Sequence, residues 1–212
     1  MSTTNNALIT IKHRGKKLLW PAHDTELQRV NDYVSDLTVM LSHVDRFDLA
    51  VQAGGACGVW PLALSNKFKT VITFEPEKLN YQCLQSNVFG VDNILAYESA
   101  LSSRIGTGAL KLGESHNAGT YYLSEGQAVS VVTLDSFDLP ACDFIQLDIE
   151  GGEAAALLGA LNTLEKFKPV VVLECKRLPH CPGAEIESRA LLESLGYVEV
   201  GRVHNDVIFK SL

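Results

Sequence analysis

The stretch Val51-Gln52-Ala53-Gly54-Gly55-Ala56-Cys57-Gly58 decides the fold class. It continues the β-rich run DLAVQA and precedes a helical stretch, so its glycines lie at a strand-to-helix turn. Glycine lets the backbone turn tightly and approach a ligand, and the first amides of a helix are free to bind one. The glycines at 54, 55 and 58 do not form the pattern G-x-G-x-x-G, which disfavours NAD. The stretch predicts either a tight turn or the loop of another cofactor.

β-rich runs and helical stretches alternate along the chain beyond this loop. The runs are TVITFE, NILAYES, FIQLDI and VVVLE, and helices are expected after Gly58 and over residues 77–88, 152–165 and 185–195. This alternation predicts parallel strands, and runs that are apolar on both faces belong inside a sheet. The last two runs, YVEVGRV and DVIFKSL, are separated by His204-Asn205, which predicts a C-terminal antiparallel hairpin.

Two further segments are predicted around this core. Residues 7–20 are typical of a strand and turn, and apolar residues at helical spacing predict an amphipathic helix from Asp24 to Val44, with Asp24 or Thr25 as its N-cap. The segments GALKL, TYYLS and AVSVVTL, divided by Gly113, Gly119 and Gly126, predict a β-rich insert near the site. Because no linker is visible, we expect one domain, 1–212, with an N-terminal extension, 1–45, and a core, 46–212.

Composition narrows the class of protein. The 212 residues are 46% hydrophobic and 20% charged, which is typical of a globular chain. Without a signal sequence or a long apolar run, we expect a cytoplasmic protein with no membrane contact, whose five cysteines are reduced thiols. The net charge of −7 disfavours nucleic acid as a partner, and the basic run His13 to Lys17 is more typical of solvated surface.

An acid ends the second strand of the core. Phe74-Glu75-Pro76 places the Glu75 carboxylate at the C-terminal tip of the run TVITFE. An acid at this position of a doubly wound sheet typically accepts hydrogen bonds from the ribose hydroxyls of a ligand. Glu75 is therefore predicted to bind a cofactor, although a solvated acid at a strand end is the alternative.

Motifs in a fixed order resemble the FkbM-type methyltransferases. They are Gly54 to Gly58, Thr73-Phe74-Glu75-Pro76 with Asn87-Val88, Ala100-Leu101-Ser102-Ser103, Thr133-Leu134-Asp135-Ser136 and Leu147-Asp148-Ile149-Glu150-Gly151. Val170 to Glu174 and Asn205 to Phe209 also resemble the family, so the resemblance runs from about residue 48 to the C-terminus. The ordered set is more specific than any single motif.

The resemblance implies an α/β fold of the Rossmann-like class I methyltransferase type. Such a fold has a mostly parallel seven-stranded sheet with a C-terminal antiparallel hairpin and helices on both faces. The implied cofactor is S-adenosylmethionine, and the implied acceptor is a small molecule, methylated on an oxygen of a sugar, a polyketide or a similar compound. The implied cofactor-binding residues are Gln52, Gly54, Gly55, Gly58, Glu75, Pro76, Ser99 and Ala100.

These residues have different implied roles. Gly54 and Gly58 would shape the loop on the methionine side of the cofactor, Glu75 would hold its ribose, and Ser99 with Ala100 would border its adenine. Gln52 stands where the family usually has an acid. An amide can still bind the ammonium of the cofactor, but the charge attraction is lost, so we expect a lower affinity.

Acids at the carboxyl ends of later strands are the candidate catalytic residues. Ligands of open parallel sheets bind at this edge, where Asp148, Glu150 and Glu174 are expected. Asp148 is predicted to be the base that takes the proton of the acceptor, or else to face the sulfonium of the cofactor. Glu174 is predicted to bind an acceptor hydroxyl, or else to pair with Lys176 or Arg177.

Glu150 and the remaining candidates have weaker patterns. Glu150 is equally typical of an acid at a helix start, and His116 in the insert is more typical of plain surface. Asp148 and Glu150 show no clear third oxygen ligand in the sequence, so no metal is predicted.

Three alternatives to a small-molecule O-methyltransferase stay open. A non-catalytic module that keeps the fold is compatible with Gln52 and the few acid-base residues. An NAD-dependent dehydrogenase is disfavoured by the glycine spacing and the terminal hairpin. A nucleic-acid methyltransferase is disfavoured by the net charge and by the lack of an Asn/Asp-Pro-Pro-aromatic tetrad.

Overall fold

The computed structural model describes residues 7–24, 34, 36–113, 119–176 and 178–212. The described strands are β1 (Leu8–His13), β2 (Lys16–Pro21), β3 (Leu49–Ala53), β4 (Thr70–Phe74), β5 (Ile94–Tyr97), β6 (Ala100–Leu101), β7 (Gly106–Leu112), β8 (Tyr121–Val132), β9 (Phe144–Leu147), β10 (Val170–Glu174), β11 (Tyr197–Val203) and β12 (Asp206–Ser211). The described helices are α1 (Leu37–Leu41), α2 (Val59–Ser65), α3 (Lys78–Asn87), α4 (Glu153–Leu158), α5 (Leu161–Phe167) and α6 (Ala184–Ser194).

The central sheet has seven strands in the order β11-β12-β10-β9-β3-β4-β5. The five strands β10, β9, β3, β4 and β5 are parallel to one another, while β12 is antiparallel to both β10 and β11. This order confirms the predicted fold class, a mostly parallel seven-stranded sheet with a C-terminal antiparallel hairpin. The order reverses at β3, whose carboxyl end meets those of β4 and β9, so ligands are expected at this edge.

Helices cover both faces of this sheet, as predicted. One hydrophobic cluster joins α1, α2 and α3 to Ala50 and Phe144, and the other joins α4, α5 and α6 to Val51 and Ile145. Successive side chains of a strand point to opposite faces of the sheet. Ala50 and Val51 in β3, and Phe144 and Ile145 in β9, therefore each contribute one residue to either cluster. Burying a Val, Leu or Ile side chain contributes about 1.5–3 kcal/mol, which explains why the central strands are apolar on both faces.

The predicted helix over residues 152–165 is wrong in one respect, because the structure divides it into α4 and α5. At the break, a Cβ on Gly159 would lie 2.1 Å from the carbonyl oxygen of Ser102, and the Gly159 carbonyl accepts from the amide of Asp135 at 2.9 Å. The Asp135 carboxylate then accepts from the amides of Asn162 and Thr163, both at 2.9 Å. These tertiary bonds cap the first turn of α5 and make the chain start a second helix.

The β-rich insert is confirmed, with one correction. β8 is a single long strand that pairs with β6 and β7, so Gly126 lies within a strand instead of dividing two. A Cβ on Gly126 would lie 2.4 Å from the Cβ of Ala109, beside a shift in the β7–β8 register. The glycine therefore serves close approach of the two strands. His116 lies outside the described residues.

The strand and turn predicted for residues 7–20 are confirmed in part, because the structure adds a second strand and forms the β1–β2 hairpin. Of the helix predicted from Asp24 to Val44, the structure shows α1, and residues 25–33 and 35 lie outside the described part of the chain. Asp24 accepts from the indole nitrogen of Trp20 at 2.7 Å. Within the described ranges, no helix is long and apolar enough to cross a membrane.

The hairpin is fixed to α3 by one side chain. Asn87 accepts from the amide of Leu19 at 2.7 Å and donates to the carbonyl of Leu19 at 2.9 Å and to that of Cys57 at 2.8 Å. Leu18 and Trp20 belong to the same hydrophobic cluster as the central strands. Thus the extension packs on the core, and the boundary at residue 45 stays a prediction.

Candidate functional site

The glycine loop turns at the carboxyl end of β3. The amides of Gly54 and Gly55 donate to the carbonyl of Phe74 at 3.1 and 3.0 Å, which draws the loop toward β4. Gly54 has a φ of +85°, and a Cβ there would lie 1.9 Å from the carbonyl oxygen of Asp148. Only glycine fits this position, since both the backbone conformation and the space exclude a side chain. Gly58, at a φ of +90°, leads into α2.

Glu75 fastens this loop to the start of α3. Its side chain is 5% exposed, and its two carboxylate oxygens accept from the amides of Ala56 at 2.7 Å and Glu77 at 2.8 Å. Burial raises the pKa of Glu75 to about 7, although the amides of Glu77 and Ala56 lower it. A carboxylate offers about four acceptor positions, so the chemistry of this acid leaves capacity for ligand hydroxyls.

Gln52 supports the loop from inside the sheet. Its fully buried amide donates to the carbonyls of Ala53 at 3.2 Å and Gly54 at 2.9 Å and accepts from the hydroxyl of Thr73 at 2.6 Å. Both amide hydrogens are thus used within the protein. The contact with the cofactor ammonium expected of Gln52 stays a prediction, and the bonds seen in the structure are structural.

The residues expected around the adenine lie beside Glu75. The Glu75 amide donates to the carbonyl of Tyr97 at 3.1 Å, which places the ends of β4 and β5 side by side. Ser99 and Ala100 are buried immediately after β5, and Pro76 is half-buried next to Glu75. The structure therefore gathers the predicted cofactor residues at one edge of the sheet.

Three acids meet at the ends of β9 and β10. Carboxylate oxygens of Asp148, Glu150 and Glu174 lie within 4.8 Å of one another. Between them lies the ammonium of Lys176, at 2.8 Å from Glu150 and 2.7 Å from Glu174. The three acids thus lie together at the sheet edge where the sequence predicted them. The ion pair of Glu174 with Lys176 is the alternative role that the sequence allowed for Glu174. Glu174 adds a third carboxylate beside Asp148 and Glu150. That the site binds no metal stays a prediction.

Burial sets the charge state of this cluster. Burial and the neighbouring Glu174 raise the pKa of Asp148 well above its usual range. Burial alone would lower the pKa of Lys176, but the carboxylates of Asp148 and Glu174 raise it. Asp148 is therefore harder to ionise than an ordinary carboxyl group, and Lys176 is harder to deprotonate than an ordinary ammonium. The base role expected of Asp148 stays a prediction, since a carboxylate with a raised pKa is a stronger base than an ordinary one.

The turn after Asp148 carries an aromatic stack. Glu150 has a φ of +56°, and its backbone carbonyl lies 2.8 Å from Nε2 of His180. The His180 ring stacks on Tyr122, with centroids 3.9 Å apart and an interplanar angle of 12°. This stack joins the loop after β10 to the β-rich insert. The insert is therefore near the site, as predicted.

Tyr121, next to Tyr122 in β8, lies near the predicted cofactor residues. Burial raises the pKa of Tyr121, and the nearby carboxylates of Glu77 and Glu75 raise it further. Because alternate residues of a strand face opposite ways, Tyr121 and Tyr122 serve different sides of β8. The insert thus approaches both the predicted cofactor residues and the acid cluster. The sequence analysis missed both tyrosines and His180. The available signals were the adjacent tyrosines of β8 and the two prolines, Pro179 and Pro182, that flank His180 and Cys181.

Solved structures share this fold. The FkbM methyltransferase of Methylobacillus flagellatus KT is 19% identical with a TM-score of 0.54, covering 77% of this chain and 43% of that one. The precorrin-6y C5,15-methyltransferase of Geobacter metallireducens GS-15 is 17% identical with a TM-score of 0.53, covering 98% and 94%. The Pyrococcus abyssi tRNA (uracil-54, C5)-methyltransferase, in complex with S-adenosyl-L-homocysteine, is 14% identical with a TM-score of 0.51, covering 97% and 44%.

The sequence itself identifies the family. This chain spans less than half the length of the Methylobacillus protein, and no curated protein matches it significantly. The profile of the methyltransferase FkbM domain matches residues 54–199, which include the glycine loop, Glu75 and the three acids. Since this match covers well over half of the sequence, the chain belongs to the FkbM methyltransferase family.

Proposed function

We propose that the protein transfers a methyl group from S-adenosylmethionine to a hydroxyl oxygen of a small molecule such as a sugar or a natural product. The observation that carries this proposal is the arrangement at one sheet edge. A glycine loop fastened by Glu75 lies beside a cluster of carboxylates, in a chain of a methyltransferase family. The first part suits a nucleoside cofactor, and the second suits an acceptor with hydroxyl donors.

The residues of the first part fit the cofactor. Gly54, Gly55 and Gly58 keep the loop free of side chains, and the buried Glu75 would accept from the ribose hydroxyls. Pro76, with Ser99 and Ala100, would border the adenine. S-adenosylmethionine, when bound, supplies a methyl group on a positively charged sulfur. Gln52 would act through the carbonyl of Gly54, to which it donates.

Asp148 and Glu174 are the proposed residues of the transfer site. Asp148 directly follows β9, and Gly54 packs against its carbonyl, so the acid adjoins the cofactor loop. Glu174 accepts from Lys176 through one oxygen and can accept an acceptor hydroxyl as well. Holding the acceptor in line with the methyl group supplies much of the rate acceleration in such a transfer. The acids favour a neutral, hydroxyl-rich acceptor over an anionic one.

The proposed location is the cytoplasm. The cysteines of the chain, all within the described ranges, are free thiols, and four of the five are buried. A reducing compartment preserves such thiols. The net charge of −7 also favours a small-molecule acceptor over the phosphate backbone of a nucleic acid.

Calorimetric titration with S-adenosylmethionine and S-adenosylhomocysteine tests the cofactor. We expect both to bind, and Glu75→Ala to weaken binding roughly tenfold to a hundredfold, because a hydrogen bond to a charged group contributes about 1.5–3 kcal/mol. Glu165→Ala, which removes an exposed acid on α5, is the matched control and leaves affinity unchanged. No binding of either compound to the unmodified protein would refute the proposal.

Transfer of a radiolabelled methyl group tests the acceptor. The panel contains sugars, polyols, phenols and polyketide alcohols, with transfer RNA as the nucleic-acid arm. We expect labelled product from a hydroxyl compound and none from RNA. Cofactor binding without transfer to any compound would instead support the non-catalytic module.

A further inference from the structure

The loop between β10 and α6 places an imidazole against the backbone of Glu150, one of the three acids of the cluster. His180 is exposed to solvent, yet its ring is held on two sides. The carbonyl of Glu150 lies 2.8 Å from Nε2, and the Tyr122 ring covers one face. Such a ring has a fixed plane and a fixed edge directed at the protein.

The carbonyl determines the tautomer. A carbonyl oxygen only accepts hydrogen bonds, so Nε2 of His180 must carry the hydrogen. In the neutral ring, Nδ1 then holds the lone pair, and no hydrogen bond to Nδ1 is present among the described residues. His180 therefore presents a basic nitrogen on the side of the ring away from Glu150.

The carboxylates below are already engaged. The Lys176 ammonium pairs with both Glu150 and Glu174, and burial together with the neighbouring Glu174 disfavours the charged form of Asp148. A carboxylate paired with an ammonium is a weaker proton acceptor, because its charged form is stabilised. Among the described residues of this edge, Nδ1 of His180 is a basic atom with no hydrogen-bond or ion-pair partner.

We propose that Nδ1 of His180 takes the proton of the acceptor hydroxyl. This inference rests on the proposed function. The acceptor oxygen forms a bond to the methyl carbon as the bond from that carbon to sulfur breaks, and the electron pair stays on sulfur. The hydroxyl proton passes to Nδ1, which leaves an imidazolium ring and a neutral methyl ether. Exposure of the ring then lets it return the proton to water.

Nitrogen-15 NMR tests the tautomer without any turnover. We expect the His180 ring of the unliganded protein to show a protonated Nε2 and an unprotonated Nδ1 when neutral. Comparison with His180→Gln identifies its signals, and His204→Gln, which changes a histidine paired with Asp36, is the matched control. A hydrogen on Nδ1 of the neutral ring would overturn the inference.

Kinetics with the acceptor found in the panel tests the role. We expect His180→Gln and His180→Ala to lower kcat about 10²- to 10⁴-fold while affinity for S-adenosylhomocysteine stays within twofold. Added imidazole should partly and saturably restore His180→Ala, which a structural role would not produce. Tyr122→Phe keeps the stacking ring and should keep most of kcat.

The two proposals fail differently. An unchanged kcat in both His180 variants, or no rescue by imidazole, would overturn the assignment of His180 and leave the methyltransferase proposal intact. If the unmodified protein transfers no methyl group to any acceptor, the proposed function fails and this inference falls with it, whatever the tautomer.

Discussion

Replacing Lys176 by methionine tests whether its ammonium holds the acid cluster together. The lysine side chain is 28% exposed, and its partners Glu150 and Glu174 are 6% and 17% exposed. Methionine keeps much of the volume and removes the charge, so both carboxylates lose their partner while buried. Removing one member of a buried ion pair costs about 3–5 kcal/mol, and we take about 3 kcal/mol because Lys176 retains some access to water.

The cost of Lys176→Met should depend on pH. Burial raises the pKa of Glu150, and Lys176 lowers it, so the variant has a still higher folded-state pKa for this acid. When an acid has a raised pKa in the folded state, the folded protein loses stability as the pH rises from the unfolded-state pKa through the folded-state pKa. Near the unfolded-state value of about 4.5 this loss is small. The destabilisation should therefore be largest near pH 8 and smallest near pH 5.

Urea unfolding at pH 5, 6.5 and 8 measures this difference. Lys69→Met is the matched control, because Lys69 pairs with Asp48 at 2.6 Å on the exposed surface. Such an exposed pair contributes little to stability, because water screens its charges. A loss below about 1 kcal/mol for Lys176→Met at pH 8, or a loss equal at all three pH values, would refute the reasoning.

Two further substitutions probe the cofactor loop. Gly54→Ala should abolish calorimetric binding of S-adenosylhomocysteine, because its Cβ displaces the loop. Gly90→Ala is the control, since Gly90 has a φ of +79° and open space around it. This control should cost only about 1–2 kcal/mol of unfolding free energy and leave binding intact. Normal binding by Gly54→Ala would contradict this. Asn87→Ala removes three hydrogen bonds to Leu19 and Cys57 and should lower the urea-derived free energy of unfolding by about 2–4 kcal/mol. A loss under about 0.5 kcal/mol would show that the hairpin is held by packing alone.

The fold was predictable because its signals are local. Apolar runs, helical spacing and the glycines after β3 lie in short windows, and each specifies its own element. The break between α4 and α5 was not predictable, since it depends on Ser102 and Asp135, which are far from Gly159 in sequence. No local pattern reports such a tertiary contact.

The candidate site divides in the same way. The glycine loop, Glu75 and the acids at strand ends follow from position in a parallel sheet, which the sequence reveals. Lys176 and His180 act through partners 26 and 30 residues away, and the stack on Tyr122 crosses an even longer separation. Their roles depend on which loops the fold brings together. For Gln52, the sequence position suggested a contact with the cofactor, but in the structure its amide donates to the carbonyl of Gly54 and supports the loop from inside the protein.

The attachment of the hairpin by Asn87 has a consequence for the order of folding. Leu19 and its partner are separated by 68 residues, so β2 leaves the ribosome long before the side chain that binds it has been synthesised. An isolated two-stranded hairpin is marginally stable in water. We expect β1 and β2 to remain unfolded during synthesis until α3 has emerged, so that this hairpin becomes protected from proteolysis only after the α3 segment has been made.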